Sequence, residues 1–171
     1  MKIKDLLLEE LKREESGTRK SLERVPEGQN DWAPHEKSMK LGYLASLVAS
    51  MPAWIDSIVN QDEIDYAPTD PAKQQKPFEW TKTSQLLELF DDSMKKGIAA
   101  LESTTDEHLM TNWKLKAAGH TITEEPRYIN ILSTTLAHWA HHRGQLTVYL
   151  RLNEVPVPAI YGPSADEKIP M

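Results

Sequence analysis

Three of the chain's six histidines lie within five residues, at His138, His141 and His142. Residues three and four positions apart share one face of an α-helix, so His138 and His142 are expected to lie one turn apart on the same side. Such a pair can bind one Zn²⁺, Ni²⁺ or Fe²⁺ ion when another element supplies a third ligand. The alternative is that these histidines are partly exposed polar residues or hydrogen-bonded core residues.

Neighbouring side chains add hydrogen-bond donors to this turn. We expect His141 on one flank of the pair, and we expect Arg143 and Gln145 to orient a carboxylate or an anionic ligand. The inward seam of the helix is predicted from residues at helical spacing: Leu132, Thr135, Trp139, His142, Leu146 and Tyr149. Because a buried imidazole needs a hydrogen bond or a metal, this seam strengthens the metal hypothesis.

Composition limits the classes of protein to which the chain can belong. With 171 residues and 39% hydrophobic residues, we expect a single domain over residues 1–171. The sequence has no cysteine, so any metal must be bound by histidine, carboxylate or water. A net charge of −6 argues against a nucleic-acid surface. No run approaches the length of about 20 apolar residues that a membrane span needs, and no signal peptide is recognisable, which predicts a cytoplasmic protein.

Two helices are predicted in the first part of the chain. Apolar residues recur at helical spacing from Ile3 to about Val25, although residues 14–18 carry no large apolar side chain. We interpret this gap as a weak turn or bend at Gly17; the alternative is that its polar residues face a site inside the fold. Helix 2 is predicted from a cap at Ser38 to about Asn60, with a kink near residues 48–51 because of Pro52.

The remaining helices are separated by less regular segments. Residues 64–80 contain three prolines and are predicted as a long crossover, which allows helices 2 and 3 to run parallel. Helix 3 is predicted from residues 83 or 84 to about Glu102, and a short β-hairpin between residues 109 and 122. Helix 4 is predicted from Pro126 to about Asn153, followed by a proline-containing tail that lies over the helices. The predicted fold is therefore an all-α four-helix bundle.

Several segments together resemble the DinB/YfiT-like proteins, a superfamily of four-helix bundles that includes bacillithiol-type thiol S-transferases and mycothiol-dependent enzymes. The similar segments, in chain order, are Leu22–Glu27, Trp32–Met39, Pro126–Arg127 with His138–Leu146, and the tail Val155–Glu167. The tail resembles that of a bacterial branch. The order and spacing of these segments make the resemblance specific.

The resemblance implies a three-histidine metal site, often found with nickel or zinc. His138 and His142 match the pair that the family places on helix 4. The third histidine would fall on helix 2, at the position that Leu47 occupies here, and helix 2 contains no histidine. A third ligand would then have to come from a carboxylate or from a loop residue such as His35, His108 or His120.

Two functions follow from this resemblance. One is a non-catalytic small-molecule binding or stress-associated protein, in which the metal site has degenerated and Leu47 packs against the histidines. The other is a metal-dependent hydrolase or low-molecular-weight thiol S-transferase that uses His138, His142 and a third ligand from elsewhere. The family also suggests a homodimer, without membrane or nucleic-acid partners.

Overall fold

Four long helical segments and a small three-stranded sheet make up the computed structural model, which describes residues 2–74 and 78–168. The helices are α1 (Ile3–Leu22), α2 (Leu41–Ser50), α3 (Trp54–Asn60), α4 (Thr83–Ser103), α5 (Asp106–Leu109), α6 (Arg127–Asn130) and α7 (His138–Leu152). Short 3₁₀ turns span Met51–Ala53 and Pro71–Lys73, and a π-helical segment spans Ile131–Ala137. The strands are β1 (Glu63–Asp65), β2 (Asn112–Ala117) and β3 (His120–Pro126). The fold is therefore mostly helical, as the sequence predicts, and it also contains a small three-stranded sheet.

Helix α1 is continuous through the polar stretch in its middle. The bend expected at Gly17 is absent from this helix, and the alternative interpretation holds: Glu14 and Thr18 are both buried. They follow Leu7 and Leu11 at helical spacing, so polar residues continue the buried stripe that the apolar residues begin.

The second helical segment is broken where proline removes a backbone donor. A 3₁₀ turn at Met51–Ala53 separates α2 from α3, as the proline at position 52 predicts. Gly97 of α4 packs closely here, because a Cβ at that position would lie only 2.6 Å from the Pro52 carbonyl oxygen.

The segment Leu41–Asn60 is long and apolar enough to cross a membrane, contrary to the expectation from sequence. In its most apolar stretch 61% is buried inside the fold, as in the core helix of a soluble protein.

Contacts between helix ends define the directions of the helices. The indole nitrogen of Trp80, before α4, donates to the Gly42 carbonyl at the start of α2, and His108, after α4, contacts the Val59 carbonyl at the end of α3. Helix α4 therefore runs parallel to α2 and α3, as the long crossover allows. Lys4 of α1 donates to the Glu102 carbonyl near the end of α4, so α1 and α4 are antiparallel.

The sheet has one strand that the sequence did not predict. Strands β2 and β3 pair antiparallel across a turn in which Ala118 and Gly119 have φ of 50° and 80°. Strand β1 pairs parallel with β2 and belongs to the segment that was predicted as an irregular connection. The Asp65 carboxylate at the end of β1 accepts hydrogen bonds from both turn amides, which fixes the turn against β1.

The last long helix contains a change of helical period before the histidines. Helix α6 follows Pro126, and the π-helical turns of Ile131–Ala137 lead into α7. Of the predicted inward seam, Leu132 is 40% exposed while the other five residues are buried. A π turn contains more residues than an α turn, so it rotates the preceding residues relative to α7 and explains this correction.

The tail after α7, as far as residue 168 where the described residues end, has no regular structure and lies on the helices, as predicted. Val155 and Val157 pack against the core. The carboxylates of Asp166 and Glu167 accept backbone hydrogen bonds from Val157 and Ala159, which folds the tail back on itself.

Candidate functional site

The histidine cluster occupies the first turn and a half of α7. The ring centroids of His138 and His142 are 4.4 Å apart, those of His141 and His142 are 5.1 Å apart, and those of His138 and His141 are 6.5 Å apart. His142 is buried, His138 is half-buried and His141 is exposed. The Trp54 ring of α3 lies 5.8 Å from the His138 ring. The structure therefore brings the three histidines together and places His138 beside α3.

Hydrogen bonding and burial define the protonation of His142. Its Nδ1 lies 2.7 Å from the Gln145 side-chain oxygen, which only accepts, so Nδ1 carries a proton and Nε2 of the neutral ring keeps a lone pair. Burial lowers the pKa of His142 below its usual 6.5, positive charge on His138 and His141 lowers it further, and the Gln145 bond opposes both. Neutral imidazole is the form that binds metals.

Ring positions decide which histidines can share one ion. A zinc–nitrogen bond of about 2 Å puts an imidazole centroid about 3 Å from the ion, so two ligating rings lie at most about 6 Å apart. The His138–His142 separation satisfies this limit, whereas the His138–His141 separation of 6.5 Å exceeds it. All three rings therefore cannot ligate one ion in this arrangement.

The other candidate third ligands lie in different surroundings. His108 contacts the Val59 carbonyl, His35 accepts from the Lys37 amide in the loop before α2, and His120 is exposed at the start of β3. Leu47 on α2 is partly buried and packs against the apolar core. Within residues 2–74 and 78–168, no three His, Asp or Glu side chains are placed to hold an ion together. His138 and His142 thus remain the two candidate ligands, one fewer than the three protein ligands typical of catalytic zinc sites.

Arg143 points away from the histidines, into a buried polar network with α1 and the tail. Its guanidinium lies 2.5 Å from the Glu14 carboxylate and donates to the Thr18 hydroxyl at 3.0 Å and the Tyr161 hydroxyl at 2.5 Å. Tyr161 in turn donates to Glu14 at 2.8 Å. Arg143 and Glu14 are 2% and 6% exposed, so a charged pair is buried here with its hydrogen bonds made.

The tyrosine of this network is electrostatically distinctive. Desolvation raises the pKa of Tyr161, the bond to Glu14 raises it further, and the Arg143 charge opposes both. Its ring lies under the Arg143 guanidinium at 5.1 Å, although most of the tyrosine surface is exposed. Tyr161 therefore remains a neutral donor and ties the tail to α1 and α7.

Comparison with known proteins places this arrangement in a family. The DinB family profile matches residues 1–169, which is nearly the whole chain. The chain belongs to the DinB family. The uncharacterized protein YrdA of Bacillus subtilis is 36% identical to it over 66 residues, which cover 34% of the chain and 37% of YrdA. The match therefore spans little more than a third of that relative.

Solved structures show the same DinB fold at low identity. A DinB-like protein, YjoA, from Bacillus subtilis superposes with a TM-score of 0.65 at 19% identity, covering 90% of this chain and 96% of YjoA. A DinB-like protein from Bacillus cereus gives a TM-score of 0.63 at 20% identity, covering 91% and 95% of the two chains. These similarities establish the fold alone.

Within this DinB chain, the residues predicted to surround the histidine pair separate into two groups. Gln145 contacts His142 directly, and His141 lies beside it. Arg143 does not orient a ligand at the histidines, because one residue along an α-helix rotates the side chain by about 100° and Glu14 already occupies its guanidinium.

The sequence reasoning missed Glu14, Thr18 and Tyr161 as partners of Arg143. A signal for the first two was present, because polar residues interrupt an otherwise apolar stripe where a helix must be buried. Tyr161 had no comparable signal, since it lies 147 residues from Glu14 in an irregular segment.

Proposed function

We propose that this DinB protein is a non-catalytic small-molecule binding or stress-associated protein whose histidine site has degenerated. The observation that supports this is Leu47, which stands where the resemblance to DinB/YfiT-like proteins expects the third histidine. A leucine has no lone pair to offer a metal, and its partly buried side chain packs into the core.

The number of available ligands supports the same proposal. His138 and His142 can reach one ion, but two protein ligands completed by water bind a divalent metal weakly. His141 cannot join them, and the other histidines of the described chain contact other segments or are exposed. The site thus retains two histidines of the family's metal centre, His138 and His142, but lacks the third ligand.

The alternative function is a metal-dependent hydrolase or low-molecular-weight thiol S-transferase. Its support is the state of His142, a neutral ring oriented through Nδ1 that keeps Nε2 for a metal or a proton. A bound metal would lower the pKa of a water or thiol and so produce a nucleophile. The absence of cysteine from the sequence is compatible with an external thiol but does not require one.

Metal content separates the two functions. Protein purified without a nickel column is expected to contain less than about a tenth of an equivalent of Zn or Ni by elemental analysis, unchanged by His142→Ala. If the unmodified protein contains about one equivalent of metal and the His142→Ala variant loses it, the result would support the metal-dependent alternative and contradict the proposal.

A gain-of-ligand variant tests whether only position 47 is missing. Leu47→His is expected to raise Zn²⁺ and Ni²⁺ affinity at least about a hundredfold in a chelator competition, because a third imidazole completes the site. Tyr43→His is the matched control, since it adds a histidine to the same helix one turn away. Equal affinities in the two variants would show that position 47 does not face the histidine pair.

Location and assembly are parts of the same proposal. The fold matches that of DinB-like proteins, and its most apolar helical segment is mostly buried, which supports a cytoplasmic four-helix-bundle protein. The family suggests a homodimer; light scattering that detects only a particle of the 19.5 kDa chain mass would reject it.

A further inference from the structure

A second candidate site lies on the opposite side of the last long helix from the histidines. There α1 and the segment from Leu132 to Ala140 border an open groove with a volume of about 350 Å³, which we call the α1/π groove. Ala140 projects about 160° away from His138 around an α-helix, so the groove and the histidine cluster are separate. The volume is at the lower end of the range for small-molecule sites.

The groove combines apolar walls with a polar end. Leu7, Leu132, Leu136 and Ala140 are among its lining residues, and Glu14 and Tyr161 line it as well. The π-helical turns shape one wall, because they turn Leu132 outward to 40% exposure. A lining of this kind suits a ligand with an apolar body and one polar group.

The Glu14 carboxylate has unused hydrogen-bonding capacity at this polar end. Its Oε2 is bound by Tyr161 and Arg143, whereas Oε1 has no hydrogen-bond partner among the described residues. The side chain is only 6% exposed and borders the cavity. Glu14 Oε1 can therefore accept a hydrogen bond from a donor that enters the groove in place of solvent.

We propose that the α1/π groove binds small amphipathic amines, with the ammonium group donating to Glu14 Oε1 and the apolar body lying against Leu136 and Ala140. Glu10 also lines the groove, so two carboxylates border the cavity, while Arg143 contacts Glu14 from behind and is absent from the lining. This charge distribution favours a cation over a neutral alcohol and disfavours a carboxylate.

The tail provides one boundary of this site. Tyr161 lines the cavity and is held by Glu14 and Arg143, and the tail continues to Glu167, which pairs with Arg24 of the segment after α1. A ligand in the groove therefore contacts both ends of the sequence, and its binding should make the tail harder to cleave by protease.

Three probes of matched shape test the ligand class on the full-length, metal-free protein in the presence of EDTA. The probes are 2-phenylethylamine, 2-phenylethanol and 3-phenylpropionate, each titrated while the methyl resonances of alanine and leucine are recorded by NMR. The amine is expected to shift Leu136, Ala137 and Ala140 and to bind at least about tenfold more tightly than the other two probes. Equal binding of the amine and the carboxylate, no binding of the amine, or shifts confined to other methyls would overturn the proposal.

Variants establish where the amine binds. Ala137→Phe places a bulky side chain at the groove from an exposed position and is expected to abolish amine binding, whereas Ala67→Phe, exposed in the segment after β1, is expected to preserve it. Glu14→Gln should remove the preference for the amine over the alcohol. This variant leaves Arg143 without its charged partner, so if it does not fold, the result for Ala137→Phe decides whether the amine binds in the groove. His142→Ala is expected to leave amine affinity unchanged, which keeps this test independent of the histidine site. Retained amine binding in Ala137→Phe would contradict the proposal.

Discussion

His142 and Arg143 are consecutive residues, both buried, yet their surroundings differ in almost every respect. Arg143 contacts Glu14, Thr18 and Tyr161, so its charge is neutralised and its donors are occupied. His142 has one hydrogen bond, to a residue of its own helix, and otherwise faces two more imidazoles. Because the partners of Arg143 belong to α1 and to the tail, this arginine connects α7 to two segments that are distant in sequence. The histidine side has nitrogen lone pairs that no described part of the fold uses.

The contrast indicates where the fold depends on its polar groups and where it does not. A buried ion pair is costly when one partner is removed, although the pair as a unit contributes little net stability. An imidazole with a single local bond contributes about as much as one ordinary hydrogen bond. We therefore expect stability to respond strongly on the arginine side and weakly on the histidine side of the same helix.

The largest expected effect is that of Arg143→Ala. Removing the guanidinium leaves Glu14 buried without a counter-ion, and we expect the free energy of unfolding to fall by about 3–5 kcal/mol in urea denaturation. Arg151→Ala is the control, because Arg151 pairs with Asp166 at the surface, where solvent screens the two charges, so a much smaller loss of stability is expected.

The double variant Glu14→Met with Arg143→Met sharpens this prediction. Replacing both charges by apolar groups of similar length removes the uncompensated charge, so most of the lost stability should return. A double variant as unstable as the single one would indicate that packing, and not charge, makes position 143 sensitive.

The comparison also shows what the sequence could predict. The long helices were predictable because apolar residues recur at helical spacing, and the histidine spacing predicted that the pair would share one face. The π-helical turns were not predictable from the sequence, since no residue type marks them. They place Leu132 at the surface and not on the predicted inward seam. Strand β1 was missed because its structure depends on pairing with β2, about fifty residues later in the chain.

The candidate site was predictable to the extent that its chemistry is local. His138, His142 and Gln145 lie within eight residues, and helical geometry alone brings them together. The partners of Arg143 come from α1 and from the tail, so helical geometry alone did not predict them. Contacts between segments so distant in sequence leave no periodic signal, apart from the polar gap in α1.

Tyr161→Phe is expected to have the next largest effect. It removes the hydroxyl that joins Glu14 to Arg143 but leaves these two paired, so we expect a loss of about 2 kcal/mol. Because the folded-state pKa of Tyr161 is raised above its usual 10.0, its contribution is fully present below pH 10.0 and is lost as the pH rises through the folded-state pKa. The variant should therefore lose less stability above pH 10.0 than the unmodified protein, by urea denaturation along a pH series. Parallel alkaline curves would contradict this.

On the histidine side, His142→Gln in metal-free protein is expected to cost about 1 kcal/mol, the value of one hydrogen bond. Burial lowers the folded-state pKa of His142, so the stability that its neutral form provides is present above pH 6.5 and is lost as the pH falls below 6.5 through the folded-state pKa. The glutamine variant should lose less stability on acidification. NMR titration of the His142 ring gives the pKa directly, and a value at or above 6.5 would contradict the prediction.

The smallest effect is expected where the tail crosses α1. A Cβ on Gly17 would lie 2.8 Å from the Ile160 side chain, so Gly17→Ala gains about 1 kcal/mol of helix propensity and loses a similar amount through overpacking. The net change should be within about 1 kcal/mol, while the tail becomes easier to cleave by protease. In an Ile160→Ala background the overpacking is absent, so the same substitution should stabilise the protein by about 1 kcal/mol. If Gly17→Ala has the same effect in both backgrounds, the tail does not pack on Gly17, and Tyr161 must hold the tail on the arginine side without Ile160.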